Sequence, residues 1–139
     1  MFKKMEMLQK IFKTLPENER DFIFPAEWFE DVTFDKKKHF LFGNKDYCVA
    51  WLTKGKKDIK SKKTCYWLTI ATHPDHRRKK LGTHLVVDEI KPFLESVNGK
   101  LCSRVMKNNE VSIQWHKSLG AYVIDQDKTH YVFVFRTND

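Results

Sequence analysis

The run Thr64–Thr72 (TCYWLTIAT) constrains this chain more than any other segment. Its β-branched and aromatic residues put apolar side chains on both faces, as a central strand requires. A basic turn follows, and then Leu81, Leu85, Val86, Ile90, Phe93, Leu94 and Val97 recur at steps of three, four and one, which predicts one face of a helix. Residues 101–105 are strand-like again. Strand, helix and strand in that order need a crossover, and a crossover needs a parallel pair.

The flanking segments are predicted as antiparallel neighbours. Residues 39–42 and 47–53 form a hairpin around Gly43-Asn44-Lys45-Asp46. Residues 54–63 (KGKKDIKSKK) carry six lysines and are expected as an exposed, flexible loop. Pro92 removes an amide from the long helix and predicts a kink, with Asn98-Gly99 as a left-handed stop. A short helix over Glu110–Ser118 is terminated by Gly120, and residues 121–124 and 129–135 are two further strands. Ahead of all this, Met5, Leu8, Ile11, Phe12 and Leu15 mark an amphipathic helix closed by Pro16, expected to pack on the sheet. Pro25 opens a short helix through Ala26, Glu27, Trp28 and Phe29. The expected class is α+β: a mixed, mostly antiparallel sheet with one parallel central strand pair, flanked by helices.

Composition bounds the rest. At 139 residues with 41% hydrophobic content, the chain is expected to be a single domain, 1–139, with its own core. It holds no apolar run of the roughly 18 residues a bilayer span takes, so a soluble protein is expected. Lys+Arg 26 against Asp+Glu 18 gives a formal +8, a field that draws nucleotides, nucleic acid, anionic membrane or acidic protein. Cys48, Cys65 and Cys102 are odd in number and far apart, which fits free thiols in a reducing compartment. Glu6, Gln9 and Lys10 interrupt any signal-peptide core, so a cytoplasmic location is expected. His73, His76 and His84 lack a cysteine or carboxylate cluster at ligand spacing, so no metal is predicted.

The segment that carries chemistry is residues 73–85, HPDHRRKKLGTHL. A strand runs through a basic turn into a helix opening near Lys80. The free amides and positive dipole end of such a start bind phosphate before any side chain is counted. Arg77, Arg78, Lys79 and Lys80 add positive charge, and Gly82 is expected to let a ligand approach the backbone.

Arg77-x-x-Lys80-x-Gly82 after a strand resembles the acetyl-CoA motif of the GNAT superfamily of N-acetyltransferases, [Gln/Arg]-x-x-Gly-x-[Gly/Ala]. Residues 109–121 (NEVSIQWHKSLGA) resemble the family's Asn-x-x-[Ala/Ser] segment ending in Leu-Gly-Phe. The resemblance covers about residues 37–136 and implies an acetyl-CoA-dependent acyltransferase acting on a primary amine by direct attack. It implies that Ile70, Ala71 and Thr72 bond the pantetheine arm, that Arg77, Arg78, Lys79, Lys80, Leu81, Gly82 and Thr83 hold the pyrophosphate, and that Asn109 and Ser112 lie beside the pantetheine. His116 stands where the family often has a tyrosine general acid, and as imidazolium it would donate a proton near neutral pH.

Three departures accompany the match, His116 being one. Lys80 replaces a glycine, on the expectation that a helix-start angle admits other residues and that its side chain projects toward a CoA phosphate. Ala121 replaces an aromatic. No carboxylate lies in Thr64–Thr72, so no general base is assigned among Glu27, Glu30, Asp31, Asp46 and Tyr66. The acceptor amine is unidentified, an acidic macromolecule being one carrier, and a homodimer is compatible with the sequence. The alternative reading is a catalytically weak or inactive module of the same fold that binds nucleic acid or an acidic protein partner through its lysines.

Overall fold

The computed structural model describes residue 13 and residues 39–44, 48–73 and 80–136. Six strands form one sheet: β1 (His39–Asn44), β2 (Cys48–Lys57), β3 (Thr64–Thr72), β4 (Gly99–Met106), β5 (Tyr122–Gln126) and β6 (His130–Val134), in the order β1-β2-β3-β4-β6-β5. Every pairing is antiparallel except β3 with β4. The expected mixed sheet with one central parallel pair is therefore the observed one. Apart from Lys13, which is helical and exposed, the helices expected before residue 38 lie outside the described residues.

The crossover is a helical rod, α1 (81–97), built from an α-helical turn Leu81–Leu85, a π-helical turn Val86–Ile90 and an α-helical segment Lys91–Val97. Pro92 explains the middle segment. Without its amide the carbonyl of Asp88 loses its regular partner, and the ladder shifts so that the Lys91 amide donates to Val86 O, five residues back. The expected distortion is thus a change of helical pitch. Asn98 stops the rod in the left-handed region at φ 53°.

Leu85, Val86, Ile90 and Leu94 of α1 are buried against Ala50, Leu52, Tyr66 and Leu101 of the sheet. Burying each is worth about 1.5–3 kcal/mol. Val97, expected on that face, is 39% exposed, because the rod ends beyond its last core contact. The second helix, α2 (Glu110–Ser118), lies on the same face, with Ile113 and His116 buried against Phe133 and Phe135.

Several strands run past the expected bounds, β1 to Asn44, β4 from Gly99 to Met106 and β5 to Gln126, and β2 does so furthest. β2 does not end at residue 53 but runs to Lys57, inside the segment expected as a loop. Lys54 pairs with Tyr66 and Lys57 with Thr64 across a bulge, so the backbone ladder overrides the weak strand preference of lysine. The loop proper is residues 58–63, and it is held rather than loose. The Asp58 amide donates to Lys63 O at 2.8 Å, and the Lys62 amide to Asp58 O at 2.8 Å.

Candidate active site

The parallel pairing of β3 and β4 starts at Thr64 with Gly99 and stops at Trp67 with Cys102. Beyond that point each strand keeps its outer partner. β3 stays registered with β2 as far as Thr72, and β4 with β6 as far as Met106. The two inner edges therefore separate while both strands remain extended. Their backbone groups on that side have no strand partner among the described residues, a state that buried amides and carbonyls do not keep without a ligand or water.

The opening is a cleft of about 80 Å³. Leu68, Thr69 and Ile70 form one wall, Ser103, Arg104 and Val105 the other, and Asn109, Ser112 and His116 of α2 close it. Asn109 is the N-cap of α2: its Oδ1 accepts from the Ser112 amide at 3.2 Å. That bond fixes the first helical turn at the mouth of the cleft.

His116 is only 2% exposed. Its Nδ1 lies 2.7 Å from Ser112 O and 3.3 Å from Ser112 Oγ, while Nε2 is buried and has no partner. A carbonyl oxygen accepts and cannot donate, so the short contact places the proton on Nδ1 and a lone pair on Nε2. Burial lowers the ring's pKa against the opposing pull of the Ser112 carbonyl, and the ring is neutral at pH 7. The imidazolium expected near neutral pH is therefore the disfavoured state in this position.

Next to the cleft, α1 begins. Lys80 is its N-cap, at φ 56° and ψ 29°, with no side-chain cap to the first-turn amides and no acidic residue in that turn. The expectation that this angle suits any residue is corrected here. The left-handed region is the physical reason a glycine is preferred, and a lysine there is strained by about 1 kcal/mol. The Lys80 side chain is exposed.

Gly82 also has a packing role. A Cβ there would sit 3.3 Å from Ile70 Cδ1 and 3.4 Å from Trp115 Cζ2, so the glycine admits the protein's own side chains. Trp115 Nε1 donates to Thr83 Oγ1 at 3.1 Å, tying the second half of α2 to the first turn of α1. Thr72 Oγ1 donates to Cys48 Sγ at 3.4 Å, Ala71 is buried, and Leu81 packs against the core.

Arg77, Arg78, Lys79 and His76 lie outside the described residues, as do Glu27, Glu30, Asp31 and Asp46. Tyr66 is in the core: it is 3% exposed, stacks edge-on with Phe40 and Phe93, and its phenol pKa is raised by burial. It does not border the cleft. Ser103, Thr69 and Arg104 do, and no motif marked them, because only the register shows where the strands part. The thiols are free; Cys48 and Cys102 are buried and Cys65 half-buried. Burial, with the neighbouring Cys65 thiol, pushes Cys102 up to about 12.

A search of curated proteins gives no match. Solved structures do resemble the fold. Arabidopsis thaliana NAA60 in complex with a bisubstrate analogue has a TM-score of 0.68 at 13% identity, covering 98% of this chain and 95% of that one. The PaiA N-acetyltransferase of Thermoplasma acidophilum in complex with coenzyme A has a TM-score of 0.69 at 14% identity, covering 97% and 94%. The N-acetyltransferase PseH of Campylobacter jejuni in complex with acetyl coenzyme A gives 0.59 at 17% identity, covering 91% and 96%. At such identities the likeness is one of fold. The sequence itself matches the family model described as acetyltransferase (GNAT) family over residues 5–121. With its parted parallel strands and the uncapped helix start beside them, this chain belongs to the GNAT family of acetyltransferases.

Proposed function

We propose that the protein transfers an acetyl group from acetyl-CoA to a primary amine by direct attack. The observation that carries this reading is the separation of β3 from β4 beyond Trp67 and Cys102. It opens a backbone edge along Ile70, Ala71 and Thr72 for an amide-bearing arm, beside the uncapped amides of Leu81, Gly82 and Thr83 for a diphosphate. Arg77, Arg78, Lys79 and Lys80 supply the countercharge, and Asn109 and Ser112 flank the arm. The named ligands of the structural neighbours support the same reading.

Acetyl-CoA, when bound, supplies an activated thioester. His116 provides the proton path. Its Nε2 lone pair takes the proton that the amine nitrogen sheds as the N–C bond forms, and then returns it to the sulfur as the C–S bond breaks. In this role the ring is an acid only after it has served as a base. The acceptor is an amine carried by an acidic molecule, in keeping with the formal +8.

Calorimetry with acetyl-CoA, and thiol release with a panel of primary amines, test the reading. The wild type is expected to bind, and Ser103→Leu, which fills the cleft wall, to lose binding while keeping its thermal midpoint. His116→Phe is expected to bind normally and to turn over about a hundredfold more slowly. Wild-type protein that shows no heat and no thermal shift with acetyl-CoA, yet binds nucleic acid in a salt-sensitive way, would replace this reading with the binding-module one.

A further inference from the structure

The β2–β3 hairpin lies at the other end of β3 from the cleft. Thr64 and Ile70 are six residues apart, or about 20 Å of extended chain, so the hairpin takes no part in the site described above. Lys54, Lys56, Lys57, Lys60 and Lys62 are all exposed there. Asp58 is the one carboxylate among them, and it is already engaged. Lys100 Nζ donates to its Oδ2 at 2.7 Å, Ser61 Oγ to the same oxygen at 2.9 Å, and the Lys60 amide to Oδ1 at 3.2 Å. These bonds, led by that of Lys100, hold the carboxyl well below the usual carboxylate range. They also build the tip, with Lys62 in the left-handed region at φ 62°.

That fixed tip presents Ile59 at 92% exposure, the most exposed large apolar side chain of the described residues. Tight turns are ordinarily filled by Gly, Asn, Asp or Ser. An adjoining hollow of about 210 Å³ extends the cationic surface: Asn98 Nδ2 donates to Lys62 O at 3.4 Å, and Lys91 and Arg136 line the hollow with Glu95 as the one acid.

We infer that this end of the molecule docks on an anionic phospholipid surface, with Ile59 entering the headgroup–acyl boundary and the lysines seated on the headgroups. An apolar tip within a ring of lysines matches a layer that is negative outside and oily beneath. Nucleic acid fits less well. The hairpin carries no arginine to fork a phosphate, residues 58–63 include no aromatic to stack on a base, and phosphate binding has no use for an exposed isoleucine. No helix among the described residues is long and apolar enough to cross a bilayer.

Vesicle co-sedimentation of the full chain tests it, with pure phosphatidylcholine vesicles set against vesicles holding about 30 mol% phosphatidylserine. The wild type is expected to partition at least about tenfold better onto the anionic vesicles, and to lose most of that advantage at high salt. Replacing Lys56, Lys57 and Lys60 together with glutamine should weaken binding about a hundredfold, at about fivefold per lysine. Ile59→Ser, which leaves every charge in place, should weaken it about five- to tenfold. Thermal midpoints and acetyl-CoA binding serve as controls for folding. Equal partition onto both vesicle types, or an Ile59→Ser protein that binds as tightly as wild type, overturns the inference. So does a DNA duplex that displaces the vesicles and binds the Ile59→Ser protein unchanged, which would assign the surface to nucleic acid.

Discussion

His116 meets two opposing demands. Packing against Trp115, Phe133 and Phe135 favours an apolar ring, whereas its unpartnered Nε2 leaves a buried acceptor unsatisfied, a state that costs about 1–3 kcal/mol. A buried acceptor without a partner at the closed end of a cleft is the kind of strain that function retains. Lys80 is a second such residue, with a β-carbon where the backbone turns left-handed. Lys80→Gly is expected to raise unfolding free energy by about 0.5–1 kcal/mol in urea titrations, because relief of the left-handed strain exceeds the added chain entropy. An unchanged or lower midpoint would mean that the lysine side chain makes offsetting contacts.

At the scale of elements, the junction of α1 with β4 is closely packed. A Cβ on Gly99 would meet the Tyr66 ring at 2.7 Å and Leu94 Cδ2 at 3.0 Å. The ring belongs to an aromatic group with Phe40 and Phe93 and has little room to move. Gly99→Ala is therefore expected to lower stability by about 1–3 kcal/mol in denaturant titration. Because Gly99 also begins the parallel pairing, a loss smaller than about 0.5 kcal/mol would show that β3 and β4 can slide apart at their closed end without penalty. A disturbance of the helix is legible in the sequence once Pro92 is noticed, though as a kink and not as the π-helical turn observed, whereas the extension of β2 through three lysines is not. A proline acts on its own helix through a missing amide; a strand end depends on whether a partner strand supplies bonds, and for β2 that partner begins at Thr64.

Across the whole molecule, the neutral imidazole makes stability depend on pH. The folded-state pKa of His116 lies below the ordinary 6.5, so the unfolded chain binds more protons just below that pH, and stability rises with pH through this window. On acidification the wild type is expected to start losing this contribution at about pH 6.5, with the loss complete once the folded ring itself protonates. His116→Phe should flatten that part of the curve of thermal midpoint against pH. A wild-type profile that is flat from pH 7 to pH 5, or one identical to that of His116→Phe, would show that the ring is not held neutral by the fold. A variant both less active and more acid-stable would display the conflict between chemistry and packing in one protein.

What the sequence determined by itself is the order of elements and the parallel pair, because hydrophobic periodicity is local and a strand–helix–strand unit closes in only one way. The bounds of β3 and of α2, the left-handed Asn98 and the Asn109 cap likewise follow from residues near one another in the chain. Tertiary structure alone decided where β3 and β4 part, which brought Ser103 and Thr69 to the cleft and withdrew Tyr66 from it. It also decided that His116 is neutral and that Gly82 yields its space to Ile70 and Trp115. These outcomes depend on register and on burial by distant segments, and a side chain's solvation is set by neighbours that its own stretch of sequence does not contain.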